Sequence, residues 1–364
     1  MYLIVDSHQD LAWNILSFGR DYTRSAHETR QLEVGSPAVE HNGDTLLGWP
    51  EYQAGRVAVI FSTLFASPRR HLVGNYEKLY YPDSDYQTAH RLYRQQLDTY
   101  HRLTDSHPDK FRLLASRPDL KLLLDGWHDP ATEHPVGLLP LMEGSDGILS
   151  TNELDEWWEL GVRVIGPAWA GTRYCGGTKE PGPLTDEGRA LLKAMADFNF
   201  TLDLSHMDEP AALQALDYYP GPIIASHANS LALLPGFAFN RHLSDHVLRG
   251  LIERGGVIGL VPYNAFLKVG WLLATGSRRT EVSLARLADH IDHVCQLAGN
   301  SSHVAIGSDF DGGFGLQSVP HEIDTIADLQ KLADFLLPRG YSETDVEAIL
   351  GGNWLRHLQE HLPS

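Results

Sequence analysis

Eight short apolar runs, most of them rich in β-branched residues, recur along the chain, and amphipathic stretches separate most of them. The runs are Tyr2–Asp6, Val57–Leu64, Val136–Met142, Val162–Pro167, Phe200–Leu204, Pro222–Ala225, Val257–Val261 and His303–Ile306. Between them lie helical patterns such as Asp85–Leu103, Asp186–Asp197, Glu209–Ala215, Ser244–Arg254 and Ser283–Leu297. Strand followed by helix, repeated about eight times, reads as an α/β chain closed into a (β/α)8 TIM barrel. The open doubly wound sheet competes, but no GxGxxG follows the first run. With 364 residues the chain is expected to form one barrel domain over 1–364, since such barrels often exceed the usual domain length. Two connections are unusually long, 18–55 and 171–185. The first is polar and is expected to be an irregular loop over the barrel mouth. The second, rich in Gly and Pro, reads as a lid or substrate loop. Ser342 is placed as the N-cap of a closing helical segment over Ser342–Leu362.

A net charge of −18 argues against a nucleic-acid partner, which needs clustered Lys and Arg. No run approaches the roughly 20 apolar residues of a membrane helix, so no membrane segment is expected. The N-terminal MYLIVDSHQD has no basic region leading into a long apolar stretch, and a cytoplasmic location is expected. Cys175 and Cys295 form neither a metal-type pair nor a disulfide framework. The absence of GxSxG argues against a serine hydrolase.

The chemistry gathers where the runs end. His8 and Asp10 close the first run, Glu143 the third, His206 the fifth, His227 the sixth and Asp309 the eighth. His8 and Asp10 are two apart, so an extended chain points them to one side. In a parallel barrel all of these positions lie on the C-terminal rim, where barrel active sites sit. One strand-end His or Glu is ordinarily a capping or hydrogen-bonded residue. Six such residues at five strand ends point to metal. Imidazoles and carboxylates without thiolate suit zinc or manganese in a hydrolytic site, and so many acids packed together require a cation to offset them.

These residues resemble the membrane (renal) dipeptidases, two-zinc peptidases among the amidohydrolase-type barrels. The resemblance is carried by HxD at His8, EG at Glu143, DLSH at His206, SH at His227, NR at Asn240-Arg241 and GSDFDG at Asp309, in that order. It covers the chain from the first strand to the last helix. It implies a metal-dependent barrel hydrolase with two Zn²⁺, other divalent metals being possible. His8 and Asp10 would bind one, His206 and His227 the other, and Glu143 would bridge them. Asp309 would be the catalytic acid and base, Arg241 would grip the substrate carboxylate, and Tyr263 would line the pocket. A small dipeptide-like substrate and a homodimer follow from the same resemblance.

One position departs from the family pattern. Where the family keeps a His after the fourth strand, this chain has Trp169, in GPAWAGT. Indole donates one hydrogen bond and carries no charge, so Trp169 is expected to form a pocket wall. Either another donor, Arg173 or His41, stabilises the oxyanion, or the pocket serves a different substrate. The leading function is a zinc-dependent dipeptidase using an activated water. The alternatives are an amide, lactam or D-aminoacyl hydrolase with a reshaped pocket, and a catalytically idle metal-binding scaffold. Asp6, Asp203 and Asp311 are read as supporting residues, and His242 as structural.

Overall fold

Each of the eight apolar runs forms a strand, and the strands, numbered β1 to β8, are Ile4–Gln9, Val57–Phe65, Val136–Glu143, Val164–Gly166, Thr201–Asp203, Ile223–Ile224, Ile258–Leu260 and Val304–Ile306. The computed structural model describes residues 1–72, 78–129 and 132–364. Every residue of β1 and β3 is buried, and so is all of β2 except Phe65. Burial on both faces is why these strands read as continuous apolar runs rather than alternating ones.

The strands pair in parallel in the order β6-β5-β4-β3-β2-β1-β8-β7. A single bridge between Ala225 and Ile258 completes the ring. It is held by Ala225 N to Val257 O at 3.0 Å and Gly259 N to Ala225 O at 2.8 Å. The result is a (β/α)8 barrel. β2 and β3 stay in register from Val59 with Gly137 to Phe65 with Glu143. β3 then pairs with β4 through Glu143 and Gly166, which brings Glu143 to the rim. The lower half of β3 pairs instead with a short extra strand, Phe111–Leu113.

The expected helices form at Tyr86–Ser106, Asp186–Phe198, Glu209–Tyr218, Asp245–Glu253 and Leu284–Ala298. Asp85, Thr185, Ser244 and Ser283 cap four of them by accepting from backbone N–H groups. Ser342 caps the closing segment with a capping box to Asp345. Among the described residues no helix is long and apolar enough to cross a membrane.

Both long connections are more ordered than expected. The stretch 18–55 holds three short helices, Ala26–Leu32, Pro37–Asn42 and Trp49–Gly55. Ser25 caps the first, and Pro at the first turn starts the other two; six or seven residues are too few for a period to show in the sequence. The stretch 171–185 contains an antiparallel hairpin of Cys175–Gly177 and Glu180–Leu184. Asp311 fastens the first connection to the barrel. Its carboxylate accepts from Arg20 Nη1 at 3.0 Å, Tyr22 OH at 2.9 Å, Thr45 Oγ1 and Leu46 N, and its carbonyl accepts from Asn14 and Asn42.

Candidate metal centre

The strand ends bring His8, Asp10, Glu143, His206, His227 and Asp309 to one spot on the rim. His206 Nε2 lies 3.0 Å and His227 Nε2 3.3 Å from Glu143 Oε1, and the two Nε2 atoms are 3.0 Å apart. On the other side His8 Nε2 lies 3.6 Å from Glu143 Oε2, 3.9 Å from Asp10 Oδ2 and 3.9 Å from Asp309 Oδ1. Two ligand clusters result, His8–Glu143–His227 and His8–Asp10–Asp309. Glu143 stands between the halves, with one oxygen turned to each.

Three polar atoms of the cluster lack hydrogen-bond partners among the described residues. Both nitrogens of His8 and Oδ1 of Asp10 are buried without a hydrogen bond among the described residues. Asp10 stands at the N-cap of helix Leu11–Phe18 but makes no side-chain cap bond, so its carboxylate is free. Buried polar atoms ordinarily find partners. An orphaned His8 Nε2 set among the carboxylates of Asp10, Glu143 and Asp309 therefore fits a hard or borderline divalent cation.

The electrostatics agree. Burial alone would lower the pKa of His8, but Glu143, Asp10 and Asp309 outweigh it and hold it at about 10. Burial lifts Asp10 well above the usual carboxylate range, against the pull of His8. Burial opposes ionisation of Glu143 too, yet the three imidazoles keep it well below its ordinary value. Asp309 is pushed up to about 7 by burial, with His8 opposing and Glu143 adding like charge. Burial, helped by Arg241, brings His206 down to about 4. Such divergent neighbours mark a site built for proton and charge chemistry.

Buried carboxylates set the strand ends. Asp203, the last residue of β5, accepts from Ser205 N at 3.0 Å, Ser226 N at 2.8 Å and Ser226 Oγ. Ser226 Oγ is in turn 2.8 Å from His227 Nδ1. Because the Ser226 hydroxyl donates to Asp203, it accepts from His227 Nδ1–H, which leaves the Nε2 lone pair facing the centre. Asp6 does the matching work at β8, accepting from Ser308 N at 2.6 Å and from Ser308 Oγ, next to Asp309. His206 and Asp309 both adopt left-handed backbone, at φ 67° and 58°. That conformation costs an L-residue about 1–2 kcal/mol and is kept here at functional side chains.

A cavity of about 850 Å³ opens above the centre, lined by Asp10, Glu143, His206, Asp309, Arg241 and many aromatic side chains. Arg241 is buried; its Nη2 donates to His227 O at 2.8 Å and its Nη1 has no partner. Trp169 lies in the wall, its ring 5.0 Å from Phe65 and 6.2 Å from His206. Tyr263 lines the cavity and stacks on Phe314 at 4.2 Å. His41 also faces the cavity, stacked on Trp13. Arg173, the other donor considered beside Trp169, is turned away: it bonds Ile148 O and Tyr174 OH and lies over Tyr86. His242 packs between Phe237 and Phe266.

Two contributors carried no sequence signal. Thr178, in the hairpin turn, has its hydroxyl 2.9 Å from His206 Nδ1. Gly312 presses against the acids: a Cβ there would lie 2.1 Å from Asp309 Oδ1 and 2.8 Å from Asp10 Oδ2.

Comparison with known proteins agrees with this geometry. The family model described as membrane dipeptidase (peptidase family M19) matches residues 1–362. An uncharacterized protein in the pqqA 5' region of Klebsiella pneumoniae is 31% identical over 275 residues, covering 73% of this chain and 94% of its own. Dipeptidase aclJ of Aspergillus oryzae is 26% identical over 364 residues, covering 98% of this chain and 77% of its own. A crystal structure of a metallo peptidase from Rhodobacter sphaeroides, liganded with a phosphinate mimic of the dipeptide L-Ala-D-Ala, superposes with a TM-score of 0.75. It is 21% identical, covers 99% of each chain, and shares the fold. The chain belongs to the membrane dipeptidase family.

Proposed function

Starting from that membership, we propose that the protein is a zinc-dependent dipeptidase that holds two metal ions. The observation that carries the reading is the placement of Glu143 between two groups of ligand atoms, one oxygen facing each. His8 and Asp10 would hold one ion, His206 and His227 the other, and Glu143 both. When bound, the ions supply Lewis acidity and make water nucleophilic near neutral pH.

The remaining work falls to the chain. Asp309 takes the proton of the attacking water on a carboxylate oxygen and passes it to the nitrogen of the departing amine. Its elevated pKa, about 7, suits a group that must hold and release a proton. Arg241 offers its free Nη1 to the terminal carboxylate of a short substrate, and a longer peptide would run past that clamp. Tyr263 and Trp169 form walls that exclude water. The dipeptide mimic bound by the Rhodobacter sphaeroides relative supports a substrate of this size, and all five proposed ligands are present and gathered, unlike in an idle scaffold.

The test is metal analysis combined with turnover of a dipeptide panel. Asp309→Asn is expected to retain the metal content of the parent and to lose about 10²–10⁴ in kcat. A variant with parental turnover removes Asp309 from the proton path. A metal-loaded parent that cleaves no dipeptide refutes the function.

A further inference from the structure

The aromatic wall of the cavity falls into two groups. One comprises Trp169, on which Phe65 and His71 pack, together with the separate stacked pair Trp13 and His41. The other, on the loops after β6, β7 and β8, is built around Phe266, which contacts Phe237 and Tyr263. Among the described residues, the large apolar side chains of the cavity that are more than a third exposed lie by the second group. Phe239 is 51% exposed, Leu272 50% and Val269 39%, and all three line the cavity. Large apolar side chains left bare in a row, continuous with a ligand cavity, mark a surface that something apolar covers.

Arg241 decides what covers it. The Arg241 guanidinium lies over Phe266, 5.3 Å from the ring centre, at the inner end of the bare surface. A substrate carboxylate held by Arg241 therefore places its own residue against this second wall. The cavity, at about 850 Å³, is at the large end for small-molecule sites, so room is not limiting. The acid-rich floor of Asp10, Glu143 and Asp309 offers an apolar group nothing.

We propose that this subsite selects dipeptides whose C-terminal residue carries a bulky apolar side chain, seated on Phe266, Phe239 and Leu272. The inference rests on the dipeptidase reading and on Arg241 as the carboxylate clamp. The N-terminal residue, on the Trp169 side, meets no such exposed apolar side chains among the described residues and is read with less preference for apolar bulk.

The test uses the zinc-loaded full chain with two series, alanyl-X and X-alanine, where X is glycine, alanine, leucine or phenylalanine in either enantiomer. The expected result is that kcat/KM rises about tenfold or more from alanyl-glycine to the better alanyl-phenylalanine, and that the X-alanine series is flatter. Phe239→Ser combined with Leu272→Ser is expected to shrink the alanyl-phenylalanine to alanyl-glycine ratio about fivefold or more. Calorimetry supplies a readout independent of turnover: the product phenylalanine should bind about tenfold or more tightly than glycine. Equal rates across alanyl-X, a steeper X-alanine series, or an unchanged ratio in the double variant overturns the subsite and leaves the dipeptidase reading standing. If no dipeptide is cleaved, the dipeptidase reading fails instead, and equal affinity for phenylalanine and glycine then overturns the subsite as well.

Discussion

On the β5–β6 side of the metal centre each imidazole arrives with its Nδ1 already engaged, His206 by Thr178 and His227 by Ser226. On the β1–β8 side His8 has neither nitrogen engaged and stands among Asp10, Glu143 and Asp309. The first half is oriented by the protein before any ion arrives. The second gathers three carboxylates around His8, whose pKa they raise, and a bound cation would offset them. In the proposed reaction, neutral, pre-aimed imidazoles on one side and acids on the other would divide the labour: one half would fix geometry, and the other, which holds Asp309, would manage protons.

The comparison breaks most completely where the halves meet. Glu143→Ala removes both carboxylate oxygens, one facing each half, so neither half keeps its set. Loss of metal from both positions and a fall in turnover of about 10³ or more are expected, read by metal analysis and kinetics. Loss of only one ion would make the halves independent.

Gly312→Ala attacks the acid half alone. The added Cβ collides with Asp309 and Asp10, so kcat should fall about 10²-fold while the affinity of the β5–β6 half changes little. Two-phase metal titration separates these outcomes.

Asp203→Asn attacks the imidazole half. An amide nitrogen facing Ser226 Oγ reverses the hydrogen-bond chain and puts the proton on His227 Nε2. Metal affinity there should drop about 10–100-fold. An unchanged titration would mean that Asp203 only ties the strands.

Thr178→Val is the mildest. It removes the hydroxyl beside His206 Nδ1, and a loss of about tenfold in affinity, confined to the same half, is expected. Loss in the acid half instead would mean the hairpin acts on the whole mouth.

The barrel and the gathering of the strand-end imidazoles and carboxylates were legible because both are written in local pattern. Apolar runs such as VAVIFSTLF mark buried parallel strands, and His8, Glu143, His206 and His227 sit where those runs stop. Parallel topology then does the gathering. Thr178 was not legible, because its place depends on how a Gly-rich hairpin folds back onto β5. Asp311 was legible as a supporting residue, but not its partners Arg20, Tyr22 and Thr45, which lie more than 260 positions away on a connection without visible period. The second aromatic wall was read at Tyr263 alone, since Phe237, Phe266 and Phe314 come from three separate loops.

Anomalous scattering from zinc-loaded crystals tests most directly whether Glu143 joins two ion positions. Two peaks are expected, one within bonding distance of His8 and Asp10 and one of His206 and His227, with Glu143 reaching both. A single peak, or two that do not share Glu143, would contradict the account.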